Sequence, residues 1–339
     1  MLIKISLKKQ EISVLFVYSS FQSFVKKDFE ILKNHFILKE VKWQGKRDIF
    51  KILSGVLWSD ITYSWFASDH AFITVLLSRL FKRKSIVIVG GVDAAYVPEI
   101  NYGRFTQGFF KRKMTVFALK HASKVLVVDP SLKDDVIKNA KVDGKNIEYV
   151  PTGYDPDYWK SKAKKENIVL TVGGVVDSVV KRKGFKTFVK AAEHIPNLKF
   201  VIVGKHIDSS VNALKEISKN NVEFTGFVSD EELLRWYQKS KVYCQLSRYE
   251  GLPNALCEAM LCECVPVGTK NCGIPTAIGK TGFYVKYNAE KETADAISKA
   301  LKNQNFGKKA RDRIKTNFPL NSRETKLLKI IKSLINEGD

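Results

Sequence analysis

Short apolar runs alternate with amphipathic stretches along most of the 339 residues, and several of the runs end in glycine. Residues 12–18 (ISVLFVY), 86–89 (IVIV) and 168–172 (IVLTV) are nearly continuous apolar segments, which is typical of strands buried on both faces. The stretches between them, such as 24–34, carry apolar residues at roughly helical spacing. This alternation predicts an α/β fold in which helices cover both faces of parallel sheets.

The alternation is interrupted once, by the turn-rich segment VPTGYDPDYW at residues 150–159. A chain of 339 residues is about right for two domains of ~150 residues each. We therefore expect two doubly wound, Rossmann-like domains over residues 1–155 and 156–310, followed by a basic helical segment over 311–339. In such sheets ligands bind beyond the carboxyl ends of the strands, so the two domains are expected to face a cleft.

The chain is strongly basic, with 57 Lys and Arg against 35 Asp and Glu and a net charge of +22. Such a charge favours an anionic partner. It is spread over folded segments rather than held in a detachable arm, so we expect no nucleic acid partner.

Nothing in the sequence predicts a membrane span or a signal peptide, because no apolar run approaches ~18 residues and the N-terminus lacks a long apolar core. The five cysteines all lie within residues 244–272, at spacings that do not match paired zinc knuckles, so we expect reduced thiols and no metal. These features predict a cytoplasmic protein.

The segment SRYEGLPNALCEAMLCECVPV at residues 247–267 carries the clearest chemical signal. A strand is expected to end just before it, and Pro253 suits the first position of the helix that follows. The free N–H groups near Leu252 and Asn254 would then form an anion site. Glu250 and Glu258 flank this site, so one end of the helix offers both phosphate-binding and hydroxyl-binding groups. A nucleotide sugar presents that combination.

With the intervening Gly-Leu-Pro-Asn, this segment resembles glycosyltransferase family 4, the retaining nucleotide-sugar transferases of GT-B fold. Glu250 and Glu258 match the E-x7-E signature of that family. The resemblance implies that Glu250 contacts the donor sugar near the reacting centre and that Glu258 binds the donor ribose. It also implies that Gly251, Leu252, Pro253 and Asn254 belong to the donor site. In the family the first domain binds the acceptor, the second binds the donor, and the last segment crosses back to the first domain.

A second match covers residues 170–192 (LTVGGVVDSVVKRKGFKTFVKAA). The family places a lysine at the position of Lys183 on the donor diphosphate and a strand-end glycine at Gly173. It usually has an arginine where this chain has Gly174. Lys181 or Arg182 is the candidate for that missing charge, and we include Gly173, Gly174, Arg182 and Lys183 in the predicted donor site.

Two further segments complete the match in the second half of the chain. In residues 221–247 the resemblance implies that Phe227 and Val228 meet the nucleotide base. In residues 272–285 the family usually has a glutamate where this chain has Thr276, so the sugar is not identified.

The first half of the chain matches the family only in outline. Ser20 lies in the loop after the first strand, where the family often has a glycine-rich acceptor loop. The strand at 86–89 is followed by Gly-Gly-Val-Asp, and Asp93 is the candidate for a group at the acceptor hydroxyl, as hydrogen-bond acceptor or base. The alternative is that Asp93 caps a turn. His70 either lines the cleft or lies in the first turn of a helix.

Basic residues lie beside aromatic ones in residues 81–84 (FKRK) and 109–113 (FFKRK). In this family such faces often lie against anionic lipid, and a solvated helix surface is the alternative. The inner face of the membrane is therefore a second expected location beside the cytoplasm.

Together these features predict a retaining hexosyltransferase of the EC 2.4 class. It would use a nucleotide diphosphate sugar as co-substrate, a glycan or lipid-linked acceptor, and no other cofactor. Glu250, Lys183 and Asp93 are the predicted catalytic residues. Two alternatives are a non-catalytic polyanion-binding protein, based on the charge alone, and a sugar-nucleotide epimerase of the same fold.

Overall fold

The computed structural model describes residues 11–337, and its first part is a six-stranded parallel sheet flanked by helices. The sheet order is β2-β1-β3-β4-β5-β6. The strands are β1 (Ser13–Tyr18), β2 (Ile37–Lys42), β3 (Ile61–Trp65), β4 (Lys84–Val89), β5 (Lys124–Val127) and β6 (Ile147–Tyr149). The helices are α1 (Ser23–Lys33), α2 (Ile49–Trp58), α3 (Asp69–Leu80), α4 (Phe109–His121) and α5 (Pro130–Ala140).

The second part repeats the architecture with a second six-stranded parallel sheet, in the order β12-β11-β10-β7-β8-β9. Its strands are β7 (Glu166–Val172), β8 (Lys199–Val203), β9 (Val222–Gly226), β10 (Ser240–Gln245), β11 (Val265–Thr269) and β12 (Phe283–Val285). The helices are α6 (Asp177–Lys183), α7 (Phe185–Glu193), α8 (Ser210–Glu216), α9 (Asp230–Lys239), α10 (Asn254–Leu261), α11 (Ile274–Ile278), α12 (Glu290–Lys302), α13 (Asn305–Asn317) and α14 (Leu320–Asn336).

The prediction of two doubly wound parallel sheets is confirmed. Central strands such as β3 and β4 are buried on both faces, which explains why they read as continuous apolar runs. The chain reverses its strand order beside β1 in the first sheet and beside β7 in the second. Ligands are expected at such switch points, outside the carboxyl ends of the strands.

The chain crosses back to the first domain later than residue 311, the boundary expected from the charge pattern. That position lies inside α13, which packs against α10 of the second domain. The crossing follows at Phe318, whose carbonyl accepts the Tyr154 N–H at 3.0 Å. Charge did not locate the boundary because α13 and α14 are both basic although they pack on different domains.

The last helix, α14, is fixed to the first domain by one buried ion pair. Arg323 donates to both carboxylate oxygens of Asp28 on α1, at 2.6 and 2.7 Å, and both residues are at most 2% exposed. The third guanidinium nitrogen, Nη1, donates to the carbonyls of Val150 and Pro151, each at 2.8 Å. These bonds tie the hinge segment, α1 and α14 together.

Within residues 11–337, no helix combines the length and the apolarity needed to cross a lipid bilayer. All five cysteines carry free thiols, and four of them are buried.

Candidate functional site

A cavity of about 320 Å³ lies between the two domains, at the carboxyl ends of the central strands of both sheets. From the second domain it is lined by Arg182, Lys183 and the segment from Glu250 to Ala255. From the first domain it is lined by residues that follow strands or begin helices: Gln22, Phe24, Trp65, Phe66, Gly90, Val92, Tyr102, Val128 and Thr152.

Glycines allow the two domains to approach backbone to backbone at this cavity. A Cβ atom on Gly251 would lie 2.3 Å from the Gly90 carbonyl oxygen, and one on Gly91 would lie 3.2 Å from the Gly251 nitrogen. Side-chain hydrogen bonds cross the same boundary: Tyr249 donates to Asp135 at 2.6 Å, and Tyr154 donates to Asn254 at 2.9 Å. The structure therefore shows the cleft with its two walls in contact.

Two cations from the end of α6 face the cavity and share one carboxylate. Arg182 Nη1 lies 2.6 Å and Lys183 Nζ 3.3 Å from Glu250 Oε1. The candidates for the second positive charge were Lys181 and Arg182. Lys181 is exposed and pairs with Asp177 at 2.8 Å, so Arg182 is the residue that the fold brings to the site.

Glu250 is held in place by neighbours on the end of β10. Gln245 Nε2 and Ser247 Oγ each donate to Glu250 Oε1 at 3.0 Å. Burial opposes ionisation, but the charges of Arg182 and Lys183 outweigh it and lower the pKa of Glu250 to about 2. Glu250 is therefore an ionised acceptor at neutral pH and a poor base.

The two cations respond differently to this environment. Burial works against the charge of Arg182, but the charge of Glu250 overcomes it and raises the pKa of Arg182. Burial of Lys183 outweighs the attraction of Glu250, so the pKa of Lys183 is lowered. Lys183 is thus a largely buried ammonium, 14% exposed, that its carboxylate stabilises only in part. An additional anion in the cavity would complete its stabilisation.

Gly173 makes room for this lysine. A Cβ atom at Gly173 would lie 2.7 Å from Lys183 Cδ, so the strand-end glycine leaves space for the aliphatic stem. Gly174 instead faces Ile207, at 3.1 Å from the position of an added Cβ. The glycine pair therefore shapes the floor behind the cations, and neither glycine lines the cavity.

Helix α10 begins at Asn254, one residue later than expected, and Pro253 is its N-cap with extended backbone. The free N–H groups at the helix start lie beside the cavity, since Pro253, Asn254 and Ala255 all line it. The positive end of the helix and the two cations of α6 thus converge on one small volume.

Glu258 lies one turn further along α10 and lines a different cavity, of about 480 Å³. It is 5% exposed, and Tyr237 donates to its Oε2 at 3.3 Å. Burial raises the pKa of Glu258, although Lys27 of α1 and Tyr237 act in the opposite direction. Lys27, Asp230, Leu233 and Trp159 are among the other residues that line this second cavity.

Phe227 and Val228 line neither cavity in this structure. The Phe227 side chain is 79% exposed, and Val228 is half-buried against the hydrophobic core. Their backbone lies in the loop between β9 and α9, at the carboxyl edge of the second sheet.

The three residues predicted for the acceptor site do not line the cleft, which corrects that part of the sequence prediction. Asp93 is fully buried and its carboxylate accepts the backbone N–H groups of Ala67, Gly90 and Gly91, at 3.0, 3.1 and 2.9 Å. It therefore caps the turn after β4, as the alternative for this residue proposed.

His70 and Ser20 depart from the prediction for different reasons. His70 is buried in the first turn of α3, bonded to Ser68 Oγ at 3.0 Å and to the Trp65 carbonyl at 2.7 Å, and burial lowers its pKa to about 4. Ser20 is exposed in the loop after β1, whereas Gln22 and Phe24 of the same loop and helix reach the cavity.

Sequence reasoning also missed an aromatic wall formed by Phe24, Trp65, Phe66 and Tyr102. Phe66 adopts a left-handed backbone with φ of 69°, and Tyr102 lies under the Arg182 guanidinium, with 5.2 Å from its carbon to the ring centroid. Phe66 follows β3 directly, so its position at a strand end was the available signal.

Residues 157–318 match the sequence model of a family described as "Glycosyl transferases group 1". The "Alpha-galactosylglucosyldiacylglycerol synthase" of Streptococcus pneumoniae is 26% identical over 176 residues, which are 47% of this chain and 46% of the relative. The match thus spans about half the length of that relative.

Two further proteins extend the comparison over most of the chain. The "N-acetylgalactosamine-N,N'-diacetylbacillosaminyl-diphospho-undecaprenol 4-alpha-N-acetylgalactosaminyltransferase" of Campylobacter jejuni is 22% identical and matches 71% of this chain and 67% of its own length. The crystal structure of Anabaena HepE in complex with UDP and glucose superposes with a TM-score of 0.79. It covers 95% of this chain and 100% of HepE, at 16% identity, and therefore supports the GT-B fold alone.

Proposed function

We propose that this chain transfers a sugar from a nucleoside diphosphate sugar to an acceptor hydroxyl, a function supported by the match of residues 157–318 to the family described as "Glycosyl transferases group 1". The observation that carries the proposal is the group of Arg182, Lys183 and the start of α10 around Glu250 in the interdomain cavity. This group offers two partly buried cations and a helix N-terminus to one diphosphate.

We propose that the donor diphosphate competes with Glu250 for the two cations. The Glu250 carboxylate is then free to accept hydrogen bonds from hydroxyls of the donor sugar. The helix N-terminus at Asn254 and the Lys183 ammonium stabilise the charge that develops on the departing diphosphate. Because fixed positive groups supply this charge, we expect transfer to persist in the presence of a metal chelator.

We propose that transfer retains the anomeric configuration, and the groups around the reacting centre support this. Glu250 is the one carboxylate among the described residues that line the cleft, and its low pKa makes it a poor base. The acceptor oxygen bonds to the anomeric carbon on the face from which the diphosphate oxygen leaves. The acceptor proton passes to that leaving oxygen, so the step needs no protein base, and Asp93 has no role in it.

We propose that Glu258 binds the ribose of the donor nucleotide. Its carboxylate lies one helical turn beyond the proposed diphosphate position, about 6 Å along the helix axis. It accepts a single, long hydrogen bond of 3.3 Å from Tyr237 in the part of the chain that the structure describes, which leaves acceptor capacity for two ribose hydroxyls. The base would then lie toward the start of α9, near the backbone of Phe227 and Val228.

The acceptor is proposed to be a lipid-linked or surface glycan. Two curated relatives support this class: one is named as a synthase of a glycosylated diacylglycerol and the other as a transferase acting on a diphospho-undecaprenol glycan. The aromatic wall of Phe24, Trp65, Phe66 and Tyr102 faces the donor cations across the cleft and suits the apolar faces of sugar rings.

We also propose that the first domain contacts an anionic membrane surface through α4. Phe109 and Phe110 at its start are 63% and 80% exposed, and Lys111, Arg112 and Lys113 follow them directly. Exposed aromatic rings beside cations are typical of surfaces that insert shallowly among lipid headgroups. This would place the cleft of a cytoplasmic enzyme beside a lipid-linked acceptor.

The experiment that tests donor binding is a thermal-shift screen with UDP-, GDP- and ADP-sugars. Binding to the native state raises its stability by an amount set by ligand concentration and affinity. UDP-sugars are tried first because HepE, a protein of the same fold, was solved with UDP. We expect at least one nucleotide sugar to stabilise the wild type and to stabilise Lys183→Gln less. The matched control is Lys186→Gln, which removes the same charge from an exposed position on α7.

The screen also separates the alternatives. No stabilisation by any nucleotide sugar would contradict the proposal. Equal stabilisation of Lys183→Gln and wild type would reassign that lysine. A sugar-nucleotide epimerase would change the recovered nucleotide sugar without any acceptor. A polyanion-binding protein would instead bind long anionic chains with steep salt dependence.

A further inference from the structure

A basic cavity of about 600 Å³ lies at the amino ends of the strands of the first sheet, opposite the cleft. Its floor is formed where β4, β5 and β6 begin, and its rim joins the last turns of α3 and α4 to the loop between α5 and β6. The lining includes one histidine, His121, and five cations: Arg79, Arg83, Lys120, Lys141 and Lys145.

The charge of this basic cavity is unbalanced. Five lysines and arginines line it against one carboxylate, Asp143, which lies 3.7 Å from Lys145. Over residues 11–337, none of the other four cations has a carboxylate oxygen within 4.0 Å. Two of the five, Arg79 and Lys120, lie in the last turns of helices, where cations are favourable. Lys141 is the C-cap residue of α5, and Lys145 has Asp143 as its partner, so Arg83 is the cation of this set without such an explanation.

Arg83 supplies an independent sign that a partner is missing. One of its terminal nitrogens donates to the Leu57 carbonyl at 3.3 Å. Its Nε is buried and meets no hydrogen-bond acceptor in the described part of the chain. A buried guanidinium N–H without an acceptor is costly, because the group has lost its water. An oxygen atom of a bound anion would satisfy it.

The floor of the basic cavity is already fixed by its own hydrogen bonds. Ser123 Oγ accepts the Ser85 N–H at 3.0 Å, and Ser85 Oγ accepts the Ser123 N–H at 3.3 Å. Asn146 Nδ2 donates to the carbonyls of Leu119 and Ala122, at 3.1 and 3.0 Å. The donors that remain for a ligand are therefore the cationic side chains and the hydroxyl groups of Ser85 and Ser123, and they surround a floor held by its own hydrogen bonds.

His121 lies among the cations that line the basic cavity. Burial lowers its pKa, and Arg79 and Lys120 lower it further. An anion that enters the cavity would offset these positive charges and raise the pKa of the His121 imidazole.

We propose that this basic cavity is a phosphate-binding site, separate from the donor site and independent of sugar transfer. Arg83 presents a planar guanidinium with a buried, unpaired N–H, and Arg79, Lys120 and Lys145 surround the same space with further positive charge. A phosphate matches this set better than a single carboxylate, because its several charged oxygens accept from donors on more than one side. The phosphate group belongs either to a soluble phosphorylated compound or to the headgroup of an anionic lipid.

The test follows the His121 ring signals by NMR during a titration with inorganic phosphate at low ionic strength. His121 does not report on the donor cleft, which lies at the opposite ends of these strands. Because His121 also lines a neighbouring cavity beside α4, the basic-cavity variants show which of its signals belong to this site. We expect a saturable change in the wild type. We expect at least about tenfold weaker binding in Arg83→Gln/Lys145→Gln, since hydrogen bonds to charged groups typically contribute that much or more.

Two further variants keep this test decisive. Lys299→Gln/Lys302→Gln removes the same charge from exposed positions on α12 and should bind phosphate like the wild type. Lys120→Gln/Lys145→Gln changes only exposed side chains, so it replaces the first variant if the loss of Arg83 impairs folding. The proposal is overturned if His121 shows no saturable change with phosphate or vesicles, or if the cavity variants bind as tightly as the α12 control.

The source of the phosphate group is identified by sedimentation with phosphatidylcholine vesicles that contain or lack phosphatidylglycerol. If the phosphate belongs to a lipid headgroup, the cavity variant should lose binding to phosphatidylglycerol vesicles. Phe109→Ser/Phe110→Ser should lose it as well, because α4 carries both those rings and His121, about 18 Å apart, so the two ends of the helix would meet the same membrane surface. For a soluble compound, inorganic phosphate binding depends on the cavity while vesicle binding does not. Both results support the site, whereas vesicle binding lost equally in the α12 control would point to net charge alone and contradict it.

Discussion

Replacing Glu250 by glutamine should lower the stability of the protein without lowering its affinity for a diphosphate. The variant keeps the shape of the side chain but leaves Arg182 and Lys183 buried beside a neutral group. The pKa of Glu250 is about 2 against its ordinary value of 4.5. At about 1.4 kcal/mol for each pH unit, this difference corresponds to about 3 kcal/mol of stability at neutral pH.

The pH dependence of this contribution has a defined sign. Because the folded-state pKa is lowered, the contribution is complete above the ordinary value of 4.5 and is lost as the pH falls toward about 2. Urea unfolding at pH 7 should show Glu250→Gln less stable than the wild type by about 3 kcal/mol. The gap between the two should narrow below pH 4.5.

A nucleoside diphosphate should reduce the difference in stability between Glu250→Gln and the wild type at pH 7, because its charges replace the missing carboxylate. Glu250→Gln is therefore expected to bind UDP, or whichever diphosphate the donor screen identifies, at least as tightly as the wild type, while transfer falls. Glu216→Gln, on the exposed face of α8, is the control and should change stability by less than about 0.5 kcal/mol. Equal stability of Glu250→Gln and wild type at pH 7, with no gain from UDP, would refute this account of the cation pair.

Three other expectations follow. Glu258→Ala should weaken nucleotide affinity in calorimetry by about tenfold or more while leaving binding of inorganic pyrophosphate unchanged, and equal nucleotide affinity would rule out the ribose assignment. Arg323→Met should destabilise the protein by about 3–5 kcal/mol in urea unfolding because it leaves Asp28 charged and buried, and the addition of Asp28→Asn should recover part of the loss. Gly251→Ala should hold the domains apart, since its Cβ would lie 2.3 Å from the Gly90 carbonyl oxygen. Small-angle scattering should show a larger radius of gyration, and an unchanged radius with full transfer would contradict this reading of the contact.

The fold was predictable because the strands are buried on both faces and therefore appear as uninterrupted apolar runs. The donor half of the site was predictable for a related reason: Lys183 and Glu250 lie within short segments where residue type and spacing define the local geometry. The choice between Lys181 and Arg182 was not predictable, because it depends on which side of the short helix α6 faces β10.

The acceptor half could not be read from the sequence in the same way. Asp93 and His70 occur where strands end, and in a sequence a turn-capping aspartate looks the same as a catalytic one. Only the hydrogen bonds to Ala67, Gly90 and Gly91 show that the Asp93 carboxylate is fully used. The aromatic wall was missed because Phe24, the Trp65–Phe66 pair and Tyr102 come from three separate segments that only the folded chain brings together.

The central claim, transfer of a sugar with retention, is tested most directly by product analysis of a single reaction. The protein is incubated with the nucleotide sugar that stabilises it and with a lipid-linked glycan acceptor, and the anomeric proton of the new linkage is observed by NMR. We expect a new glycosidic bond with the same anomeric configuration as the donor, formed in the presence of a chelator and slowed about 10²–10³-fold in Lys183→Gln. A product of inverted configuration, or transfer that Lys183→Gln leaves at the wild-type rate, would contradict the account.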